Sequence, residues 1–264
     1  MRPADVPVVI LCGGLGTRLR EETETRPKPM VEIGHAPILW HIMKIYGHHG
    51  FRKFVLCLGY KGHVVKQFFR EFEIWGKDFT MEFSQDGGHI EHRNTRPGEP
   101  WEVTLCETGP DTMTGGRIFR IQQYIKNDVF MATYGDGVGD VDLTAELGFH
   151  LAHGKVATLT AINPPSRFGV LDLGDHDQVS RFREKAQHDN WVNGGFYVFH
   201  RRVFDYLDPD CVLEQAPLER LSQDGELVAM RHRGCWYPMD TYRDYQELNR
   251  LWAEGQAGWK IWDL

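Results

Sequence analysis

The sequence predicts an α/β protein with a mixed, mainly parallel central sheet flanked by helices. Residues 8–11 and 54–58 are short apolar runs without a polar face, which is typical of strands buried on both sides of a parallel sheet. Apolar residues at helical spacing follow each run, so the chain begins in the order β-α-β-α that produces parallel strands with right-handed crossovers. A glycine-rich turn follows the first strand, at the sheet edge where such folds bind ligands.

The composition excludes several classes of protein. The chain has 264 residues, of which 41% are hydrophobic and 25% charged, as in a globular protein large enough for one well-packed domain. A net charge of −7 argues against a general nucleic-acid surface, and no apolar run approaches the length of a membrane span or a secretory signal. Five widely spaced cysteines favour reduced thiols over a disulfide framework. We therefore expect a cytoplasmic protein with neither a nucleic-acid nor a membrane partner.

The glycine turn after the first strand predicts a phosphate site. Gly13, Gly14 and Gly16 remove side chains where the backbone turns, and successive N–H groups there form a concavity suited to phosphate. Thr17, Arg18 and, after a polar loop, Lys28 add a hydroxyl and two positive charges. The spacing matches neither the dinucleotide motif G-x-G-x-x-G nor a P-loop. A tight turn that serves packing alone is the alternative interpretation.

The next elements continue the same pattern, and the helical period is lost from Gly76 to Pro100. The pattern predicts a helix over residues 37–50, a strand over 54–58 and a helix after Gly62. Residues 79–83 alternate like a strand, and a polar excursion near 84–100 follows, which either covers a ligand, reaches a partner subunit or is a solvated loop. His89 and His92 have a spacing compatible with metal binding, but no further ligands complete a set.

Two further strands bring polar residues to the same sheet edge. Residues 101–107 form the first, and a second glycine-containing loop, 108–117, follows it and leads into a helix. Residues 129–134 form the other strand, which runs directly into Gly135-Asp136-Gly137. A carboxylate at this position suits a hard cation beside a phosphate, although Asp-Gly also favours a plain turn.

The second half of the chain continues with alternating strands and helices and ends in an apolar tail. Trp259 and Trp262 are too apolar for a free terminus, so they dock on this chain or on a neighbour. The predicted strands are 157–162, 168–173, 179–185, 191–199 and 227–230, and the predicted helices are 143–153, 214–222 and 242–253.

Motifs spread over residues 8–262 resemble the sugar-1-phosphate nucleotidylyltransferases, and within them the group that makes CDP-glucose. The motifs are G-G-L-G-T-R-L, K-P-M-V-E-I-G, P-I-L-W-H-I-M-K, G-Y-K-G, T-G-G-R, T-Y-G-D-G-V, R-F-G, N-G-G-F and P-M-D-T-x-R-D. The resemblance implies a Rossmann-like nucleotidyltransferase fold, Mg²⁺ as cofactor, CTP and α-D-glucose 1-phosphate as substrates, and a homo-oligomer, trimer or hexamer. The product of such enzymes feeds deoxysugar pathways for surface polysaccharides such as the lipopolysaccharide O-antigen.

The resemblance also implies a role for individual residues in a single domain, 1–264. Its first part, about 1–140, would bind the nucleotide, and its second part, about 141–264, would bind the sugar phosphate and carry the oligomerisation segment. The implied catalytic residues are Arg18, Lys28, Asp136 and Lys185, and the implied metal ligands are Asp136 and Asp240. The implied nucleotide-binding residues are Leu11, Gly13, Gly14, Gly16, Thr17, Arg18, Lys28, Thr108, Thr112, Met113, Arg117, Gly135 and Asp136. The implied sugar-phosphate-binding residues are Tyr134, Gly169, Glu184, Lys185, Asn193, Gly194 and Gly195.

One departure and three alternatives qualify the expected function. The family usually has Glu-Lys-Pro where this chain has Glu184-Lys185-Ala186, so the sugar could differ from glucose. The same chemistry with UTP or dTTP is a second alternative, and a non-catalytic nucleotide-binding relative is a third. A glycosyltransferase would use an Asp-x-Asp motif, and Asp140-Val141-Asp142 has that spacing but lies beyond Asp136 and reads better as the start of a helix.

Overall fold

The structure is a computed structural model that describes residues 1–72, 79–82, 89–92, 99–164, 170–175, 178–183 and 191–262. The described strands are β1 Pro7–Cys12, β2 Glu32–Ile33, β3 Ala36–Pro37, β4 Lys53–Leu58, β5 Phe79–Glu82, β6 His89–His92, β7 Glu102–Glu107, β8 Val129–Tyr134, β9 Gly137–Gly139, β10 Ala157–Ile162, β11 Val170–Leu173, β12 Val179–Arg183, β13 Val192–His200, β14 Leu227–Arg231 and β15 Trp236–Pro238. The described α-helices are α1 Arg20–Thr23, α2 Ile38–His48, α3 Gly62–Glu71, α4 Thr114–Arg120, α5 Leu143–His153, α6 Ala216–Gln223 and α7 Tyr242–Ala253.

Seven of these strands form one sheet in the order β14-β10-β13-β8-β1-β4-β7. Strands β1, β4, β7 and β8 are mutually parallel, and β13 is antiparallel to both β8 and β10. Strand β14 is parallel to β10. The predicted mixed, mainly parallel sheet is therefore confirmed, and the direction of the strand order reverses between β1 and β8, which is where folds of this class open a ligand crevice.

Buried side chains cover both faces of the sheet. All six residues of β1 are buried, because its apolar run faces one cluster through Val8 and Ile10 and the other through Val9 and Leu11. Helices α2 and α7 pack in the first cluster, and α4 and α6 pack in the second. The predicted placement of this run inside a parallel sheet is confirmed.

Most predicted elements agree with the structure to within a few residues, and two differ. The polar excursion near 84–100 contains a strand, β6, which pairs antiparallel with β5 as a hairpin. The helix predicted over 214–222 begins two residues later, at Ala216, so Glu214 lies in the preceding loop. Strands β11 and β12 pair as expected, while residues 165–169 and 184–190 lie outside the described part of the chain.

The C-terminal tail docks on its own chain. Trp259 is fully buried, and its indole N–H donates to Nδ1 of the equally buried His41 on α2 at 3.4 Å. The other ring nitrogen, Nε2, lies 3.0 Å from the Ile33 carbonyl oxygen, so His41 is neutral with its proton on Nε2. Burial lowers the pKa of His41 from 6.5 to about 4. A protonated ring would face the Trp259 donor with a second donor.

We expect acid to weaken this docking. Because the folded pKa of His41 is below the unfolded one, its contribution to stability is present above pH 6.5 and is lost as the pH falls towards 4. The free energy of unfolding should fall by on the order of 3 kcal/mol across this window. Urea unfolding at several pH values should show a shallower loss in His41→Phe, whereas the exposed His48→Asn should behave like the unmodified protein. Equal pH slopes in all three proteins would contradict this assignment.

Glu146 on α5 is a buried carboxyl group with an incomplete set of partners. Its Oε1 accepts from the Thr160 hydroxyl at 2.5 Å, while its buried Oε2 has no hydrogen-bond partner. Burial raises its pKa from 4.5 to about 7. The folded state of the protein is therefore favoured when the Glu146 carboxyl group is protonated.

The pH dependence due to Glu146 has the opposite sign from that of His41. Its stabilising contribution is present below pH 4.5 and is lost as the pH rises through 7. We expect the stability of Glu146→Gln relative to that of the unmodified protein to increase by up to about 3 kcal/mol as the pH rises from 5 to 8. Denaturant titrations at both pH values measure this gain, with Glu219→Gln on the exposed face of α6 as control. A Glu146→Gln difference that stays constant with pH would refute it.

Candidate functional site

A cleft of about 330 Å³ opens at the carboxyl ends of β1 and β8. The sheet order reverses between these two strands, so the loops that follow them diverge and leave the space open. Apart from Pro29 and Thr114, every lining residue belongs to the individually predicted site residues. The lining residues are Leu11, Gly13, Gly14, Gly16, Thr17, Arg18, Lys28, Pro29, Thr112, Met113, Thr114, Arg117, Tyr134, Gly135, Asp136 and Asp240.

The three glycines of the first loop have different structural reasons. A Cβ on Gly14 would meet nothing within 4 Å, so this position leaves backbone open to a ligand. Gly16 has φ +64°, the left-handed conformation that favours glycine. A Cβ on Gly13 would lie 2.0 Å from Cζ of Arg117. The space beside Gly14 is therefore open to the predicted ligand, whereas a glycine at position 13 is required by packing against Arg117.

Arg117 holds two loops and the end of β4 together below the cleft. Its Nη1 donates to the Leu58 and Gly109 carbonyl oxygens and to the Thr108 hydroxyl, and its Nη2 donates to the Gly13 and Pro110 carbonyl oxygens, over 2.7 to 3.2 Å. These acceptors lie in the loops after β1 and β7 and at Leu58, the last residue of β4. Burial lowers the pKa of Arg117, but a guanidinium stays charged at neutral pH. Its nucleotide-binding role remains a prediction, because these donors already serve the protein.

Thr108 lies beside Arg117 rather than on the cleft wall. Its buried hydroxyl donates to the Leu58 carbonyl oxygen at 2.7 Å. Thr112 and Met113 line the cleft as predicted, and Met113 is exposed. The following glycines serve packing, because a Cβ on Gly115 would meet Cys211 Sγ at 2.5 Å and one on Gly116 would meet the Pro209 carbonyl oxygen at 2.2 Å.

Lys28 joins the two predicted metal ligands. Its Nζ donates to Asp136 at 2.7 Å and to Asp240 at 2.6 Å, although the two aspartates are about a hundred residues apart in sequence. Arg18 donates to the same Asp240 oxygen at 3.3 Å from a side chain that is mostly exposed. The structure therefore brings these four residues together at one site, and their catalytic and metal-binding roles remain predictions. Lys28 is itself buried, so its charge is largely shielded from water.

The predicted sugar-phosphate residues are brought partly together. Asn193 accepts from the Gly195 N–H at 2.9 Å through Oδ1, and its Nδ2 donates to the Tyr197 hydroxyl. The Tyr197 and Tyr134 hydroxyls lie 2.9 Å apart, so Asn193 to Gly195 connect to the cleft wall through Tyr134. Gly169, Glu184, Lys185 and Ala186 lie outside the described residues. Their roles remain predictions.

Sequence reasoning missed several residues that shape the site. Glu214 accepts hydrogen bonds from the hydroxyls of Tyr134 and Thr114, and Tyr197 connects Tyr134 to Asn193. Burial raises the pKa of Tyr197 to about 12 and also raises that of Tyr134, so both hydroxyls keep their protons at neutral pH. The only sequence signal for Glu214 was a carboxylate in front of a proline-containing helix start, which also fits a solvated turn.

Other candidates do not join the cleft. The Asp142 side chain caps α5 by accepting from the Ala145 N–H at 2.8 Å, and Asp140 pairs with His232 at 3.1 Å, which agrees with a helix start rather than an Asp-x-Asp metal motif. Within the described ranges, no group of three or more His, Cys, Asp or Glu residues is arranged to hold a metal ion by itself. The side chains of His89 and His92 lie outside the description. None of the helices in the described ranges is long and apolar enough to cross a membrane.

Comparison with known proteins identifies the family to which the chain is similar. A family model described as nucleotidyl transferase matches residues 7–250. The chain is 51% identical over 258 residues to the glucose-1-phosphate cytidylyltransferase of Salmonella typhi, covering 97% of this chain and 99% of that protein. It is 43% identical over 256 residues to the "probable glucose-1-phosphate cytidylyltransferase" of Bacillus subtilis, covering 96% of this chain and 99% of that protein.

A solved structure supports the fold independently. The crystal structure of HddC from Yersinia pseudotuberculosis superposes with a TM-score of 0.68 at 22% identity, covering 94% of this chain and 99% of that chain. At this identity the likeness concerns the fold alone.

The contact between Gly13 and Arg117 generates a stability prediction. A methyl group at position 13 would overlap the guanidinium and displace it from its acceptors in two loops and at the end of β4, so we expect Gly13→Ala to lower the free energy of unfolding by about 3 kcal/mol or more. Gly14→Ala is the matched control, because its methyl group would enter open space. It should unfold like the unmodified protein while binding nucleotide more weakly. Denaturant unfolding and calorimetric titration measure the two effects, and equal stability of both variants would contradict the packing role of Gly13.

Proposed function

The chain belongs to the nucleotidyl transferase family, and we propose that it transfers CMP from CTP to α-D-glucose 1-phosphate, with release of pyrophosphate. The observation that carries the proposal is the cluster of Lys28, Asp136 and Asp240 beside the glycine loop, because it provides a cation, two carboxylates and the unobstructed backbone of Gly14 in one cleft. The choice of CTP and glucose 1-phosphate rests on the names of the relatives of Salmonella typhi and Bacillus subtilis.

In the proposed reaction an oxygen of the sugar phosphate attacks the α-phosphorus of CTP. A new P–O bond forms there, and the bond from the α-phosphorus to the oxygen that bridges to the β-phosphorus breaks, so that pyrophosphate leaves with the electron pair. A phosphate dianion is already nucleophilic at neutral pH, so no general base is required.

The protein's task is then to place two polyanions together and to neutralise their charge. An ammonium group has three N–H donors, of which Lys28 uses two for its carboxylate partners, so the third is available to a phosphate oxygen. Arg18 is mostly exposed and can turn from Asp240 to the departing pyrophosphate. Gly14 presents unobstructed backbone to the triphosphate.

The donor set also fits Mg²⁺ as the proposed cofactor. Asp136 and Asp240 converge on one ammonium nitrogen, and Mg²⁺ is commonly held by one or two carboxylates together with substrate phosphates and water. When bound there, the ion would withdraw charge from the phosphates. When the ion is not bound, the Lys28 ammonium group donates to both carboxylates and neutralises part of their charge.

Loss of a charge in this cluster should reduce turnover strongly. We expect Lys28→Ala and Asp136→Ala each to lower kcat/KM by about 100- to 1000-fold, because one preorganised charged contact stabilises the transition state by roughly 3 to 4 kcal/mol. Lys66→Ala is the matched control, since its exposed pair with Glu107 contributes little. Pyrophosphate release measures the rates. Folded Lys28→Ala or Asp136→Ala protein with near-unmodified turnover would refute the assignment.

The same assay separates the alternatives for the substrates. The unmodified protein is incubated with Mg²⁺, with each of CTP, UTP, dTTP, ATP and GTP, and with a panel of sugar 1-phosphates. Preference for another nucleotide or sugar would revise the substrates and keep the chemistry. Absence of pyrophosphate release with every pair of substrates would refute the proposed enzymatic activity and favour a non-catalytic nucleotide-binding protein. The expected homo-oligomer remains a separate prediction.

A further inference from the structure

Glu214 lies at the rim of the cleft and contacts two of its walls. One carboxylate oxygen, Oε1, accepts from the hydroxyl of Tyr134, the last residue of β8. The other, Oε2, accepts from the hydroxyl of Thr114, the first residue of α4, at 2.7 Å. A single carboxylate therefore connects the strand that leads to Asp136 with the helix that follows the second loop.

The hydrogen bonds on the Tyr134 side have only one possible direction. The amide of Asn193 can only donate through Nδ2, because its Oδ1 accepts from the Gly195 N–H. The Tyr197 hydroxyl accepts that bond, and it donates its own proton to Tyr134 because the single Tyr134 proton is used for the Glu214 carboxylate, which can only accept. Tyr134 then donates to Glu214. The chain ends on the carboxylate because a carboxylate is the only member that needs no further acceptor.

The Thr114 side is shorter and equally directional. The Leu213 N–H donates to the Thr114 oxygen at 2.9 Å, so the hydroxyl proton of Thr114 points to Glu214. Thr114 lines the cleft beside Thr112 and Met113. Removal of the carboxylate would leave two hydroxyl donors, one on each wall, without their acceptor.

We propose that Glu214 is a positioning residue that orders both substrate walls of the cleft at once. It holds Tyr134 and, through Tyr197, the Asn193 turn on the sugar-phosphate side, and it holds the start of α4 on the nucleotide side. The assignment of the two sides rests on the proposed function. Charge strengthens both bonds, because hydrogen bonds to an ionised acceptor are roughly twice as strong as neutral ones.

Kinetics of Glu214 variants test the proposal. Glu214→Ala should raise the KM for the sugar phosphate and the KM for the nucleotide, each on the order of 10-fold. Glu214→Gln keeps one acceptor oxygen, so it should rescue one of the two KM values better than the other. Glu219→Ala on exposed α6 is the matched control and should leave both unchanged. A Glu214→Ala enzyme with both KM values unchanged would overturn the proposal.

Variants of Tyr197 and Thr114 distinguish a positioning role of Glu214 from a general loss of order in the cleft. Tyr197→Phe should raise chiefly the KM for the sugar phosphate, and Thr114→Ala chiefly that for the nucleotide. Tyr197→Phe combined with Glu214→Ala should raise the sugar-phosphate KM by much less than the product of the single effects, because both break one chain. Tyr197→Phe combined with Thr114→Ala should be multiplicative. Multiplicative effects in the first pair would overturn the chain.

A readout without turnover distinguishes failure of this proposal from failure of the proposed function. In ligand-free protein with ¹³Cζ-labelled tyrosine, Glu214→Ala should shift the NMR signals of Tyr134 and Tyr197, and Glu219→Ala should shift neither. Absence of pyrophosphate release in the unmodified protein would refute the reaction, while these signals would still report the chain. Unshifted Tyr134 and Tyr197 signals in Glu214→Ala would refute the positioning role even in an active enzyme.

Discussion

The five hydrogen bonds donated by Arg117 are the interaction on which the cleft depends. The guanidinium lies where three parallel strands end, and its fork reaches acceptors in two loops and at the last residue of β4, which have no covalent connection nearby. Backbone carbonyl groups that point inward at a loop need a donor, since an unpaired buried carbonyl is costly. One rigid cation supplies several such donors. The loops around the nucleotide side of the cleft can therefore keep their shape before a ligand arrives.

Lys28 is a second charged centre of the cleft, and its partners differ in kind from those of Arg117. Arg117 is bound to neutral acceptors, four of them backbone carbonyl oxygens, whereas Lys28 is bound to two carboxylate side chains. The difference follows from chemistry: a planar guanidinium orders several fixed acceptors, and a compact ammonium acts as a point charge. Loop shape and charge compensation are thus assigned to different residues. This division suits a cleft that must hold polyanions without being rebuilt around them.

Local sequence patterns were sufficient to predict the fold and the first loop and Asp136 of the cleft, whereas Thr112, Met113, Arg117 and Tyr134 were implied by the family resemblance. Apolar runs, glycine turns and the Gly135-Asp136-Gly137 turn each reveal a strand end, and parallel strand ends meet at one edge. The packing contacts that require glycine at positions 13 and 115 could not be predicted from the sequence. Each contact is with a residue about a hundred positions away, Arg117 and Cys211 respectively. Glu214 was missed for the same reason, because its partners lie 80 and 100 residues distant.

The antiparallel strand β13 explains how the second half of the chain reaches this edge. A parallel strand would present its carboxyl end there, but β13 runs the other way, so its amino end, with Asn193 to Gly195, lies beside the carboxyl end of β8. The approach is close: a Cβ on Gly195, whose φ is +80°, would lie 2.4 Å from the Tyr134 ring. Only glycine allows both the backbone conformation and the contact. Strand direction and one glycine therefore bring the Asn193 turn against the cleft wall, where a tyrosine pair and Glu214 connect it to the opposite side.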